Sequence, residues 1–213
     1  MRSVPFGDLM VKGEHADFGF WESFTRSPLY LSQLRPLQAW IQGDVLDVAS
    51  NYGRFSALAE TTVSVDLETR FLQRGRELGN IRRPVTASAL ALPFRDRSFD
   101  TVLAMGIIDH IPYAEIPLFL DGLARVALGD GSIIIQITSP YCFFALRHFR
   151  AYHDYVHAYS PLRLRKQMLQ RGWHACGVFS SGLVGSFSVL PRTVNALVPW
   201  APHVTMRFRR NPG

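Results

Sequence analysis

Apolar positions along this 213-residue chain fall into short β-type runs separated by stretches of helical period, and that alternation predicts an α/β domain. Before the first run, Leu31, Leu34, Leu37 and Ile41 recur at helical spacing, with Pro36 expected to break or restart the helix. Asp44 to Val48 then forms a short strand. It passes through Ala49-Ser50-Asn51-Tyr52-Gly53 and becomes helix-compatible at Arg54-Phe55-Ser56, the pattern of a strand, a tight turn and a helix start. Thr62 to Asp66 is a second strand, followed by a helix marked by Leu67, Phe71 and Leu78 that stops near Gly79-Asn80. Thr101 to Met105 reads as a buried strand. Ile116, Phe119, Leu120, Leu123 and Ala127 make a helix face, and Gly129-Asp130-Gly131 turns into the β-branched strand Ser132 to Ile137. Ser160 and Pro161, with Leu164, Met168, Leu169 and Gly172, predict a Ser-capped, Pro-started helix ended by glycine. The apolar residues from Phe179 onward supply the last antiparallel strands, and Arg207, Arg209 and Arg210 form a basic tail.

Polar residues at the strand ends carry the candidate chemistry. A strand ending in a small-residue turn and a glycine suits the floor of a nucleotide site. Asp66 follows Asp47 by 19 residues, close to the spacing at which a second-strand acid accepts hydrogen bonds from ribose hydroxyls; the alternative is a helix N-cap. A nicotinamide-binding loop wants Gly-x-Gly-x-x-Gly, whereas this loop has only Gly53.

Several motifs in fixed order sharpen that reading. Ala89 to Phe94 followed by Ser98-Phe99-Asp100-Thr101-Val102 resembles the "AxxLPF…SFDxV" segment of class I S-adenosylmethionine-dependent methyltransferases of the small-molecule type. Ile108 to Pro112 resembles that family's "LHHLP" segment after strand four, and Gly129-Asp130-Gly131 its "LxPGGxxxI" entry to strand five. His157 to Trp173 resembles "HxFSPxxLxxLLxxxGF". The resemblance spans about residues 40 to 180. It implies a Rossmann-like class I methyltransferase fold, with a seven-stranded, mostly parallel sheet and helices on both faces.

By the same resemblance, Asp47, Ala49, Ser50, Asn51 and Gly53 flank the methionine part of S-adenosylmethionine. Asp66 and Leu67 hold the ribose, Ser88, Ala89 and Leu90 line the adenine, and Met105 and Gly106 border the sulfonium. The family's loop reads Gly-x-Gly-x-Gly, so Ala49 and Asn51 crowd the backbone, although asparagine tolerates positive φ. Ser88 stands where many relatives have an aspartate. His110, at the carboxyl edge of the sheet, is either a general base or a hydrogen-bonded structural histidine; Asp109 orients a base or contacts the cofactor. Pro140 to Ala158 interleaves aromatic residues with His148, His153 and His157, and reads either as a lid over an apolar acceptor or as a core-packing stripe. His153 and His157 are further base candidates, and Tyr141, Phe144 and Tyr152 candidate substrate contacts. Phe18 and Trp21 either cap the site or pack in the core. No third ligand accompanies His153 and His157, so no metal is expected.

Composition adds partners and exclusions. The chain is 47% hydrophobic and 19% charged, consistent with one domain: a helical cap over 1–42, a cofactor core over 43–139, the lid over 140–158, and the last helix, strands and basic tail over 159–213. Its net charge of +6 divides into −3 over residues 1–130 and +9 thereafter, which suits an anionic partner or a solvated basic face. Two cysteines and the absence of an apolar run of membrane length point to a cytoplasmic protein. The expected activity is methyl transfer to a small hydrophobic or aromatic metabolite in biosynthesis, at oxygen, yielding S-adenosylhomocysteine, by a monomer or homodimer. The alternatives are a methyltransferase fold without methyl transfer, or an RNA or protein methyltransferase; nucleic acid is disfavoured, and the basic tail offers a peripheral membrane contact.

Overall fold

Burial in the computed structural model follows the apolar runs; the structure describes residues 28–138, 140, 159–181 and 203–210. In chain order come α1 (Pro28–Gln38), β1 (Val45–Val48), a 3-10 turn (Ser56–Leu58), β2 (Val63–Asp66), α2 (Thr69–Glu77), β3 (Arg83–Thr86) and β4 (Phe99–Met105). A second 3-10 turn (Ile108–His110) follows, then α3 (Ile116–Val126), β5 (Ala127–Thr138), α4 (Pro161–Gln170), β6 (Trp173–Ser181) and β7 (His203–Arg210). The strands make one seven-stranded sheet in the order β3-β2-β1-β4-β5-β7-β6. Neighbours from β3 to β5 are parallel, and β7 runs antiparallel to both β5 and β6.

Because side chains alternate across a strand, one sheet feeds two cores. Val102, Ala104, Ile133 and Ile135 pack with Phe119, Leu120 and Leu123 of α3 and Leu164 and Met168 of α4. Their neighbours Leu103 and Ile134 face the other way, with Leu37 of α1, Val45 and Phe179. Helices therefore cover both faces. Each fully buried aliphatic or aromatic side chain contributes about 1.5–3 kcal/mol relative to exposure. Among the described residues no helix is long and apolar enough to cross a membrane.

Five local expectations need correction. Pro36 lies inside α1 without breaking it, since it sits near the carboxyl end, where only one ring-blocked hydrogen bond is lost before the helix stops at Gln38. The crossover after the first loop holds only a three-residue 3-10 turn, because few residues separate β1 from β2 and Asp47 anchors Ser56 back onto the sheet. Ser160 occupies the N-cap position of α4 without a side-chain cap bond. Gly129-Asp130-Gly131 belongs to β5 rather than to a turn. A Cβ on Gly131 would lie 2.7 Å from the Asp100 carbonyl oxygen, so glycine there serves close strand approach. The expected basic tail forms β7, an inner strand between β5 and β6.

Candidate functional site

The carboxyl ends of β2, β1, β4 and β5 meet in one crevice, the edge of an open parallel sheet at which ligands bind. The loop after β1 forms its floor. Ser50 N donates to the Val65 carbonyl at 2.9 Å and Gly53 N to the Ser50 carbonyl at 2.9 Å, which curls the loop over the end of β2. The curl needs left-handed backbone at alternate positions: Ala49, Asn51 and Gly53 have φ of 57°, 53° and 69°. Ala49 and Asn51 thus hold, with a Cβ, the conformation that glycine adopts freely. Asn51 offsets part of that cost, its Oδ1 accepting from Tyr52 N at 2.8 Å.

Asp66 joins the loop to the start of α2. Its Oδ2 accepts from Asn51 N at 2.8 Å and its Oδ1 from Glu68 N at 2.9 Å, one donor to each oxygen of a group that can accept about four bonds. The carboxylate thus ties the turn before α2, whose N-cap position is held by Glu68 and not by Asp66, and it lies beside the loop. Burial raises its pKa, against the backbone donors of Glu68, Asn51 and Leu67. The strip carrying Ser88, Ala89 and Leu90 is anchored beside it. Ala87 N donates to the Asp66 carbonyl at 3.0 Å, and Ser88 Oγ accepts from Leu90 N at 3.2 Å.

Asp47 lies beneath this floor, not at its surface. Only 1% exposed, it accepts from Ser56 Oγ at 2.7 Å, and Ser64 Oγ donates to Ser56 Oγ at 2.8 Å. Burial pushes its pKa up to about 7 against the Ser56 hydrogen bond. Asp47 thereby positions the loop. Sequence reading missed Ser56 and Ser64, whose only signal is a hydroxyl in an otherwise apolar strand and another nine residues after the acid.

Across the crevice β4 ends at Met105 and Gly106, the latter at φ 76° with open space where a Cβ would stand. Met105 is half-buried toward α1. In the following turn Asp109 Oδ2 accepts from Thr138 N at 2.8 Å, tying β4 to β5, while the buried Oδ1 has no partner. Burial pushes this carboxyl up to about 7, against the Thr138 hydrogen bonds. His110, next in the turn, is half-buried. The structure thus gathers the loop, Asp66, Leu67, Ser88, Gly106, Asp109 and His110 at one edge. Phe18, Trp21, Tyr141, Phe144, Tyr152, His153 and His157 lie outside the described residues.

These residues fit S-adenosylmethionine. The loop keeps a glycine-type path at all three alternate positions, Asp66 retains acceptor sites, and the buried Ser50 Oγ has no partner.

Residues 46–135 match the family model described as a methyltransferase domain. An uncharacterized protein of Methanocaldococcus jannaschii is 25% identical over 123 residues, 57% of this chain and 51% of that protein, so the chain spans about half the length of the curated relative it matches. A SAM-dependent methyltransferase from Thermotoga maritima superposes with a TM-score of 0.71 at 17% identity, covering 92% of this chain and 96% of that one. The magnesium protoporphyrin IX methyltransferase of Synechocystis, crystallised with bound SAH, gives 0.70 at 13% identity, covering 96% and 100%. Residues 46–135 thus match a methyltransferase domain, and the strand order and the superpositions show the Rossmann-like fold of the class I methyltransferases.

Proposed function

We propose that the protein transfers a methyl group from S-adenosylmethionine to an oxygen of a small hydrophobic or aromatic metabolite, releasing S-adenosylhomocysteine. The observation that carries this reading is the Asp109–Thr138 hydrogen bond, which fixes the turn bearing His110 at the same sheet edge as the loop and Asp66. When bound, the cofactor supplies an electrophilic methyl on a sulfonium. Asp66 accepts from the ribose hydroxyls through its remaining lone pairs, and the Ala49–Gly53 backbone with Ser50 Oγ holds the methionine part. Ser88 to Leu90 form the adenine wall. The bare Cα of Gly106 leaves room for the reacting groups, and their alignment in a partly dry crevice supplies much of the rate.

A hydroxyl acceptor must lose a proton as its oxygen is alkylated. His110 takes that proton on an imidazole nitrogen, and Asp109, fixed through Thr138 N, positions the turn. The aromatic composition of segment 140–158 makes it the candidate for the apolar acceptor wall.

Calorimetric titration with S-adenosylmethionine tests the first half. Folded wild-type protein should bind, Asp66→Ala should weaken binding by at least about tenfold, and no binding by the wild type would overturn the reading. His110→Ala should lower kcat by about 10²–10⁴ with cofactor affinity unchanged. Full turnover in that variant would remove His110 from the role of base.

A further inference from the structure

Strand β7 separates two chemistries. Val204, Met206 and Phe208 enter the core under α3 and α4, so by the two-residue period Thr205, Arg207 and Arg209 stand on the side facing α1. Thr205 is satisfied there, bonded to Gln136 Nε2 at 3.1 Å. The two arginines are not. Neither has a carboxylate partner among the described residues, and Arg209 gives only Nη2 to Gln42 Oε1 at 3.2 Å. The Nε of Arg209, and both Nε and Nη2 of Arg207, are shut from bulk water with no acceptor among the described residues, although each side chain as a whole is half-buried.

That set of orphans is specific. Nε and Nη2 are the parallel pair of donors with which a guanidinium grips an oxyanion as a fork, and burying such donors unpaired is costly. Two cations side by side add repulsion, and burial followed by the charge of Arg209 lowers the Arg207 pKa. The surroundings shape a site around the fork. Gly177 pairs with Arg207 across the β6–β7 ladder, and a Cβ there would meet the Trp40 ring at 2.7 Å, so the indole lies against the strand beside Arg207. Gln42 closes the neighbouring side at Arg209.

Its place in the fold sets it apart from the crevice. Arg207 pairs with Ile134 and His203 with Thr138, so Arg207 and Arg209 lie roughly 13–20 Å along β5 from the Asp109–Thr138 tie, toward the opposite edge of the sheet. We propose that Arg207 and Arg209, walled by Trp40 and Gln42, form a binding site for a phosphate or carboxylate group, separate from the methyl-transfer crevice. The proposal stands independently of the activity assigned to that crevice. An oxyanion in the fork completes the orphaned donors and removes the like-charge repulsion, which makes the site an anchor or an effector site for a phosphorylated or carboxylated ligand.

The test is thermal unfolding in inorganic phosphate against chloride at matched ionic strength. Phosphate should raise the midpoint of the wild type. Arg207→Met should abolish the phosphate increment. Arg209→Met should also abolish it. Arg207→Lys, which keeps charge and loses the fork, should weaken phosphate by about tenfold or more. Arg210→Met is the control from the opposite side of the strand, where Arg210 lies over the Trp173 ring at 5.2 Å, and it should keep the increment. Sedimentation with phosphatidic acid vesicles, against phosphatidylcholine, identifies the source: Arg207-dependent pelleting assigns a lipid headgroup, and a phosphate increment without pelleting assigns a soluble anion. No increment and no pelleting in the wild type, or equal losses in Arg207→Met and Arg210→Met, would overturn the proposal.

Discussion

Ala49, at φ 57°, holds a left-handed conformation that costs an L-residue about 1–2 kcal/mol, with no side-chain bond in return. Glycine would relieve that cost and lose about 0.5–1 kcal/mol to the entropy of the unfolded chain. Ala49→Gly is therefore expected to stabilise by up to about 1 kcal/mol, a rise of roughly 2–4 °C in Tm for a domain of this size. A lower midpoint would mean that the loop is not strained there. Asn51→Ala has the opposite sign, because it removes the Oδ1 acceptor of Tyr52 N while leaving the left-handed Cβ; about 1–2 kcal/mol of destabilisation should appear in urea unfolding. The sequence spacing of Asp47 and Asp66 was enough to mark two strand ends. It could not say that Asp47 turns inward, since that depends on Ser64, placed beside it only by the parallel β1–β2 register.

Among the elements, β4 and β5 pack so closely at Gly131 that the Asp100, Leu128 and Phe99 carbonyl oxygens surround the site of a Cβ. Gly131→Ala should cost about 1–3 kcal/mol by overpacking against backbone that cannot swing aside, measured as a lower urea midpoint with an unchanged slope. An effect below about 0.5 kcal/mol would show that the β4–β5 register can shift. Strands β1, β2, β4 and β5 were legible because each holds a short apolar run bounded by turn residues, whereas β3, Arg-Pro-Val-Thr, has a single large apolar residue and shows only through its pairing with β2. The true ends were less so, because glycine serves both turns and close strand contacts, and local sequence does not separate the two. Strand β7 was hidden by composition: alternate arginines on one side read as a solvated tail, and only pairing with β5 and β6 reveals the apolar side formed by Val204, Met206 and Phe208. The crossover after β1 was misread for the converse reason. Its residues permit a helix, but the Asp47–Ser56 tie holds the short connection to a single 3-10 turn.

For the whole molecule, the carboxyl edge of the sheet carries three buried acids, Asp47, Asp66 and Asp109, each raised chiefly by desolvation. Asp47 feels Asp66 as a like charge and Arg54 as an opposing one, and both are smaller effects than burial and the Ser56 bond. A folded-state pKa above the unfolded value means that the folded chain retains protons the unfolded chain has already released. The stability from this source is therefore complete below about pH 4 and is lost as pH rises through about 7. Moving one carboxyl from 3.8 to about 7 is worth on the order of 4 kcal/mol at full burial. Exposed pairs such as Arg82–Glu60 contribute too little to reverse that slope. The unfolding free energy from urea titration should accordingly fall by several kcal/mol between about pH 5 and pH 8. Asp47→Asn, which cannot ionise but keeps an acceptor for Ser56 Oγ, should flatten part of the slope and be more stable than the wild type at the alkaline end. Asp109→Asn should remove a second part, and the double variant most of the remainder, because Asp47 lies on β1 and Asp109 in the 3-10 turn after β4, with no shared hydrogen-bond partner, so that the two act nearly independently. A wild-type profile that is flat over this range would mean that water or a neighbouring donor reaches these carboxylates and that they ionise without cost.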